Sequence, residues 1–91
     1  MKTTPDWMLK YKQFSSLITI HQTDITSELQ VKQLFQEIYQ IRGRIDFLIY
    51  CAGFQPDPDT PLREYPIESW KLTFDTYLTG YFLCLRESLN M

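Results

Sequence analysis

The stretch that most constrains this chain runs Asp46-Phe47-Leu48-Ile49-Tyr50-Cys51-Ala52-Gly53. An acidic residue is followed by a run of apolar and aromatic side chains and then by a small-residue corner. Apolar runs of this length, bounded by polar and Gly signals, read as strands buried on both faces. Such a strand belongs to a parallel sheet with helices above and below, so the segment predicts an α/β fold. The Ala52-Gly53 corner leaves almost no side chain between the backbone and whatever approaches it. In open α/β sheets that end of a strand is where ligands bind.

The neighbouring segments predict what packs on it. Leu17-Ile18-Thr19-Ile20-His21-Gln22 is rich in β-branched residues and reads as a second strand. Ser27-Glu28-Leu29-Gln30 is a capping-box pattern, with the Ser27 hydroxyl accepting from the Gln30 N–H and the Gln30 side chain returning to the Ser27 N–H. A helix over 27–41 comes next, with Val31, Leu34, Phe35 and Ile38 on one apolar stripe and Lys32, Gln33, Gln36, Glu37 and Gln40 towards water. Gly43 suits the residue after its end, and Arg42 the negative pole. Strand, helix and strand make a right-handed βαβ crossover.

Residues 54–61 concentrate proline and aspartate and predict a stiff loop, with Asp57 and Asp59 as turn residues rather than a metal pair. Pro66 then suits a helix start, and the pattern predicts a helix over 67–90. Ile67, Trp70, Phe74, Tyr77, Leu78, Tyr81, Phe82, Leu85 and Leu89 step along it by three and four, a stripe wider than one sheet contact needs. Gly80, in the middle, costs about 1 kcal/mol relative to Ala, which predicts a close packing contact there. Residues 1–16 have no clear period and read as a loosely docked terminal segment, with a short amphipathic turn of helix through Trp7, Met8, Leu9, Tyr11 and Phe14 as the alternative. The architecture expected is therefore a β-α-β-α unit over residues 17–91.

Composition narrows the class of partner. Hydrophobic content of 44% with 22% charged residues fits a globular chain. A net charge of -2 offers no basic stripe for nucleic acid. Tyr77 to Leu85 is the longest apolar-rich run and is too short to span a bilayer. Cys51 and Cys84 lack metal-site spacing and read as reduced thiols, and no apolar leader follows Lys2, so the expected setting is cytoplasmic. His21, the one histidine, has no ligand partner at metal spacing and reads as a structural or surface residue.

The residues that would carry catalysis are not found. The chain has three glycines, Gly43, Gly53 and Gly80, too far apart for a phosphate-cradling Gly-rich turn. No Ser/His/Asp or Cys/His set has credible geometry, and Glu64, Glu68 and Asp75 read as solvated acidic residues.

The order of pieces nevertheless resembles a known family. Asp24-Ile25-Thr26, the capped helix, the run from Gly43 to Gly53, Trp70, and Phe74-Asp75-Thr76-Tyr77-Leu78-Thr79-Gly80 together resemble the short-chain dehydrogenases/reductases over about residues 17–91. That family has a Rossmann-type, doubly wound fold and transfers hydride between NAD(H) or NADP(H) and an alcohol or carbonyl. The resemblance implies that Asp24 and Ile25 contact the adenine. It implies that Cys51, Ala52 and Gly53 form the turn over the nicotinamide-side ribose, where the family has Asn-Asn-Ala-Gly. Tyr77 falls where the family carries an active-site Asn, and Gly80 matches the Gly that follows it. Tyr50 and Cys51 replace both asparagines, and a thiol cannot supply the hydrogen bonds of an amide.

The Gly-rich turn and the family's Ser and Tyr-x-x-x-Lys have no counterpart, so the resemblance implies a central fragment corresponding to the third and fourth strands and their helices. NAD or NADP belongs to the intact parent, and none is expected on this chain alone. The 67–90 helix resembles the family's dimer helix and could serve a homo-oligomer or a complementing fragment.

Overall fold

A computed structural model describes residues 6–10 and 17–91. Helix α1 is a single turn, Asp6–Leu9; Tyr11 and Phe14, which the sequence joins to it, lie outside the described residues. Helix α2 spans Glu28–Arg42. A 3-10 turn at Leu62–Glu64 leads into a continuous helical run made of α3 (Ile67–Phe74), a π-helical turn (Asp75–Thr79) and α4 (Gly80–Leu89).

The ends of α2 are set by their residues. The Ser27 hydroxyl accepts from the Gln30 N–H at 3.3 Å. The reciprocal half of the capping box differs from expectation: Gln30 Oε1 accepts from the Asp24 N–H at 2.9 Å, while the Ser27 N–H donates to the Asp24 carbonyl at 3.0 Å. The side chain thus ties the preceding loop to the helix instead of closing on its own cap. Gly43 ends the helix at φ 75°, a left-handed conformation with no penalty for glycine, and its N–H reaches the Tyr39 carbonyl at 2.8 Å.

The core sits where α2 crosses α4. Val31 and Phe35 meet Leu83 and Cys84, all buried, and Ile25, Leu34, Ile38, Ile45, Leu48, Tyr50 and Met91 pack around them. The α2 stripe is the one its periodicity predicts. On the second helical run the wide stripe stays outside the core: Ile67, Trp70, Phe74, Tyr77, Leu78, Tyr81, Phe82, Leu85 and Leu89 are exposed. The buried face is Thr76, Gly80, Leu83 and Cys84 instead, because small side chains let this helix approach α2 and the 46–53 segment closely. Glu28 joins the two helices through Arg86 at 2.8 Å, with Lys32 beside it at 3.5 Å. His21, read from the sequence as structural or surface, meets the Glu37 carboxylate of α2 at 2.9 Å.

The expected Rossmann-type β-α-β-α unit does not form. Among the described residues there is no strand; 17–22 and 46–51 run without helix or ladder. A strand exists through the hydrogen bonds of its neighbours. In the doubly wound order, two other strands separate the pair that these segments resemble. Without those neighbours both segments stay unpaired, and burial on both faces fails with them. Leu48 and Tyr50 face the core, but Phe47 and Ile49 are 87% and 82% exposed. That alternation leaves one apolar face bare.

Candidate functional site

The segment 50–53 lies along the helical run at its π turn. Within that turn the Gly80 N–H donates to the Asp75 carbonyl, one residue further back than α-helical spacing. The Thr76 carbonyl thereby loses the donor an α-helix would give it. The Tyr50 hydroxyl donates to that carbonyl. Thr76 is only 8% exposed, so without Tyr50 its oxygen would be poorly placed to find water. Burial holds the Tyr50 pKa above the usual phenol value, reinforced by neighbouring Cys84, so the ring keeps the proton it donates. Burial also raises the Cys84 thiol. The Tyr50 ring meets Tyr81 edge-on at 5.4 Å.

The two glycines of this region are matched to two tyrosines. A Cβ at Gly80 would lie 2.5 Å from the Tyr50 hydroxyl and 3.2 Å from both the carbonyl and Cδ1 of Ile25. A Cβ at Gly53 would lie 2.6 Å from the Tyr77 phenol oxygen. Each segment therefore lays a tyrosine on the other's glycine. The close contact expected at Gly80 is present, and what comes close to Gly53 is a side chain of the same protein.

Of the residues singled out in the sequence, Ile25, Gly53, Tyr77 and Gly80 converge on this junction. Asp24 stands at the loop's outer side: its carboxylate accepts from the Thr26 hydroxyl at 2.7 Å and the Thr26 N–H at 3.0 Å. Those bonds, the hydroxyl's first, hold its pKa below the usual carboxylate value. Cys51 and Ala52 are exposed, and both cysteines are free. Asp57 takes a left-handed φ of 55° and accepts from Ser69 at 2.7 Å, in keeping with turn chemistry. Sequence reasoning missed Tyr50 and Thr76 as partners. A hydroxyl-bearing ring before Cys51-Ala52-Gly53, together with glycine inside a helix, was the available signal.

A nicotinamide nucleotide, which the resemblance implies, does not fit the turn as it stands. Gly53 is exposed, but the side from which a Cβ would project is covered by Tyr77, and Cys51 offers a thiol where the family has an amide. Among the described residues no group of His, Cys, Asp and Glu could hold a metal ion. No described helix is long and apolar enough to cross a membrane.

Comparison with known proteins places the chain in context. A family model described as enoyl-(acyl carrier protein) reductase matches residues 10–91. The short-chain dehydrogenase fogB of Aspergillus ruber is 32% identical over 66 residues, covering 72% of this chain and 24% of that protein. The sorbitol-6-phosphate 2-dehydrogenase of Escherichia coli is 34% identical over 64 residues, covering 70% of this chain and 24% of that one. Among solved structures, ElxO with NADP bound matches with a TM-score of 0.78 at 28% identity, over 92% of this chain and 35% of that one. A 3-oxoacyl-reductase structure from Bacillus thuringiensis matches with a TM-score of 0.80 at 22% identity, over 92% of this chain and 36% of that one. The chain thus spans about a quarter of the length of these curated relatives and about a third of the solved chains. On the family match over residues 10–91 and these relatives, the chain belongs to the short-chain dehydrogenase/reductase family.

Proposed function

We propose that this chain is the central segment of an NAD(P)-dependent oxidoreductase whose intact form transfers hydride between the nicotinamide and an alcohol or carbonyl, and that the segment is inactive alone. The observation that carries this reading is the convergence of Ile25, Gly53 and Gly80 on one helical junction in a member of this family. Asp24, Ile25, Cys51, Ala52 and Gly53 are the residues assigned to the cofactor side. ElxO, described with NADP bound, supports that choice of cofactor. A reducing, cytoplasmic setting goes with the two free thiols. Fluorescence titration of the 91-residue chain with NADH and NADPH tests the inactive state: no micromolar binding is expected, and saturable binding in that range would sink it. Co-expression with a polypeptide carrying a Gly-rich turn and the Ser/Tyr/Lys residues tests the parent activity, read as carbonyl-dependent loss of NAD(P)H absorbance. Continued absence of turnover in a soluble co-purifying complex would count against it.

A second reading rests on a separate observation. The exposed face of Ile67, Trp70, Phe74, Leu78, Phe82 and Leu89 is the surface expected of an association module. Sedimentation tests it: a monomer at high micromolar concentration would exclude self-association through this face.

A further inference from the structure

We infer that Tyr77 is a gate on the 51–53 turn, a residue that decides whether a nucleotide can reach the side of the exposed Gly53 from which a Cβ would project. The inference rests on the cofactor-side assignment above and adds its control. Glycine at position 53 leaves one face of the backbone open to close approach. That face is already taken, because the space a Cβ would fill is occupied by Tyr77 Cζ and the phenol oxygen, each 2.6 Å from it, and Cε1 at 2.7 Å. A ribose or nicotinamide seeking the same face meets the phenol first.

The aim of Tyr77 is set by the π turn that contains it, Asp75–Thr79. One residue more or less in a helical turn rotates the helix before it by about 100° relative to the helix after it. Reverting this turn to α-helix would therefore carry Tyr77 off Gly53. Tyr50 opposes that reversion. Its hydroxyl bonds the Thr76 carbonyl that the π turn frees, and its tip fills the space beside Gly80. Tyr50 is thus a positioning residue, and Tyr77 is the group that blocks. The gate can open, since Tyr77 is 49% exposed and the part of it on Gly53 is the far end of a side chain. A change of the Tyr77 χ1 rotamer, which swings the phenol as a whole, clears the face without unfolding anything.

Nuclear magnetic resonance on the isotopically labelled 91-residue chain tests this, with nicotinamide mononucleotide as the probe. Wild type should show a nuclear Overhauser contact between the Gly53 α-protons and the Tyr77 ring, and Tyr50→Phe should weaken it. Millimolar nicotinamide mononucleotide should leave the wild-type Gly53 amide unmoved. It should shift that amide in Tyr77→Ala and Tyr77→Asn, with affinity at least about tenfold higher than wild type. Circular dichroism of both variants verifies that the helices persist, and either folded variant suffices. Absence of the Tyr77–Gly53 contact overturns the gate. So does equal binding by wild type and variants, which leaves the nucleotide assignment standing. If the contact is present and neither folded variant responds, the nucleotide assignment falls and the gate falls with it, leaving packing alone.

Discussion

Tyr50 and Gly80 both lose stability under the smallest changes that can be made to them, one by losing a hydroxyl and the other by gaining a methyl. Tyr50→Phe keeps the ring against Tyr81 but removes the donor to the Thr76 carbonyl. Leaving a buried acceptor unpaired costs about 1–3 kcal/mol, which a urea unfolding midpoint would register. Gly80→Ala should gain about 1 kcal/mol in helix propensity. It should nevertheless lower the midpoint, because the new methyl meets the Ile25 carbonyl, which is backbone, and a Tyr50 hydroxyl already committed to Thr76. Gly53→Ala meets the movable end of Tyr77 first and should cost less than Gly80→Ala in the same measurement. The need for a small residue at 80 was legible in the sequence, since glycine inside a helix asks for a reason. Tyr50 was legible only as a lost amide, because a hydrogen bond to a carbonyl freed by a π turn depends on a backbone defect that no periodicity reports.

The two long helical runs show why one apolar stripe enters the core and the other stays outside it. On α2 the stripe of Val31, Leu34, Phe35 and Ile38 competes with polar neighbours, so burial had one choice. On α3 and α4 the aromatic stripe was the larger, yet the face of Thr76, Gly80, Leu83 and Cys84 won the core because it allows closer approach. The π turn also shifts the phase between α3 and α4, which a single period cannot track.

The Ser27 cap was predictable from its hydroxyl, and Ser27→Ala should cost about 0.5–2 kcal/mol in thermal or urea unfolding. Docking of α2 on α4 should weaken in acid. The Arg86 hydrogen bond, with Lys32 and Arg86 charges adding to it, holds the Glu28 pKa below its usual 4.5. A carboxylate depressed in the folded state stabilises it above the unfolded pKa, and that stabilisation is lost as pH falls through the folded value. Stability measured from pH 7 down to pH 3 should therefore drop at the acid end, and Glu28→Gln should flatten the drop. An equally steep profile in that variant would assign the effect elsewhere.

For the whole molecule, the deciding quantity is uncovered surface. The radius of gyration is 15.9 Å, against about 12 Å for a compact chain of this length. The accessible area is 7562 Å², against about 5,600 Å² for a compact monomer of this mass. Phe47 and Ile49 stand exposed on a segment with no ladder partner, which is a recognised route to edge-to-edge association. Light scattering of wild type should therefore rise with concentration, and Ile49→Lys should suppress that rise; no difference between them would place the association on the helical face. Family membership was legible in the sequence because short motifs survive in order. The sheet was not, because a strand is a relation between neighbours, and the pattern at 46–51 specifies only one side of it.

The unequal setting of the two thiols gives the chain a built-in reporter. Cys51 is exposed two residues from Gly53, whereas Cys84 is buried with its pKa raised by burial. A thiol-reactive fluorophore would attach at one position without any engineered cysteine, and its emission would track events at the turn in real time.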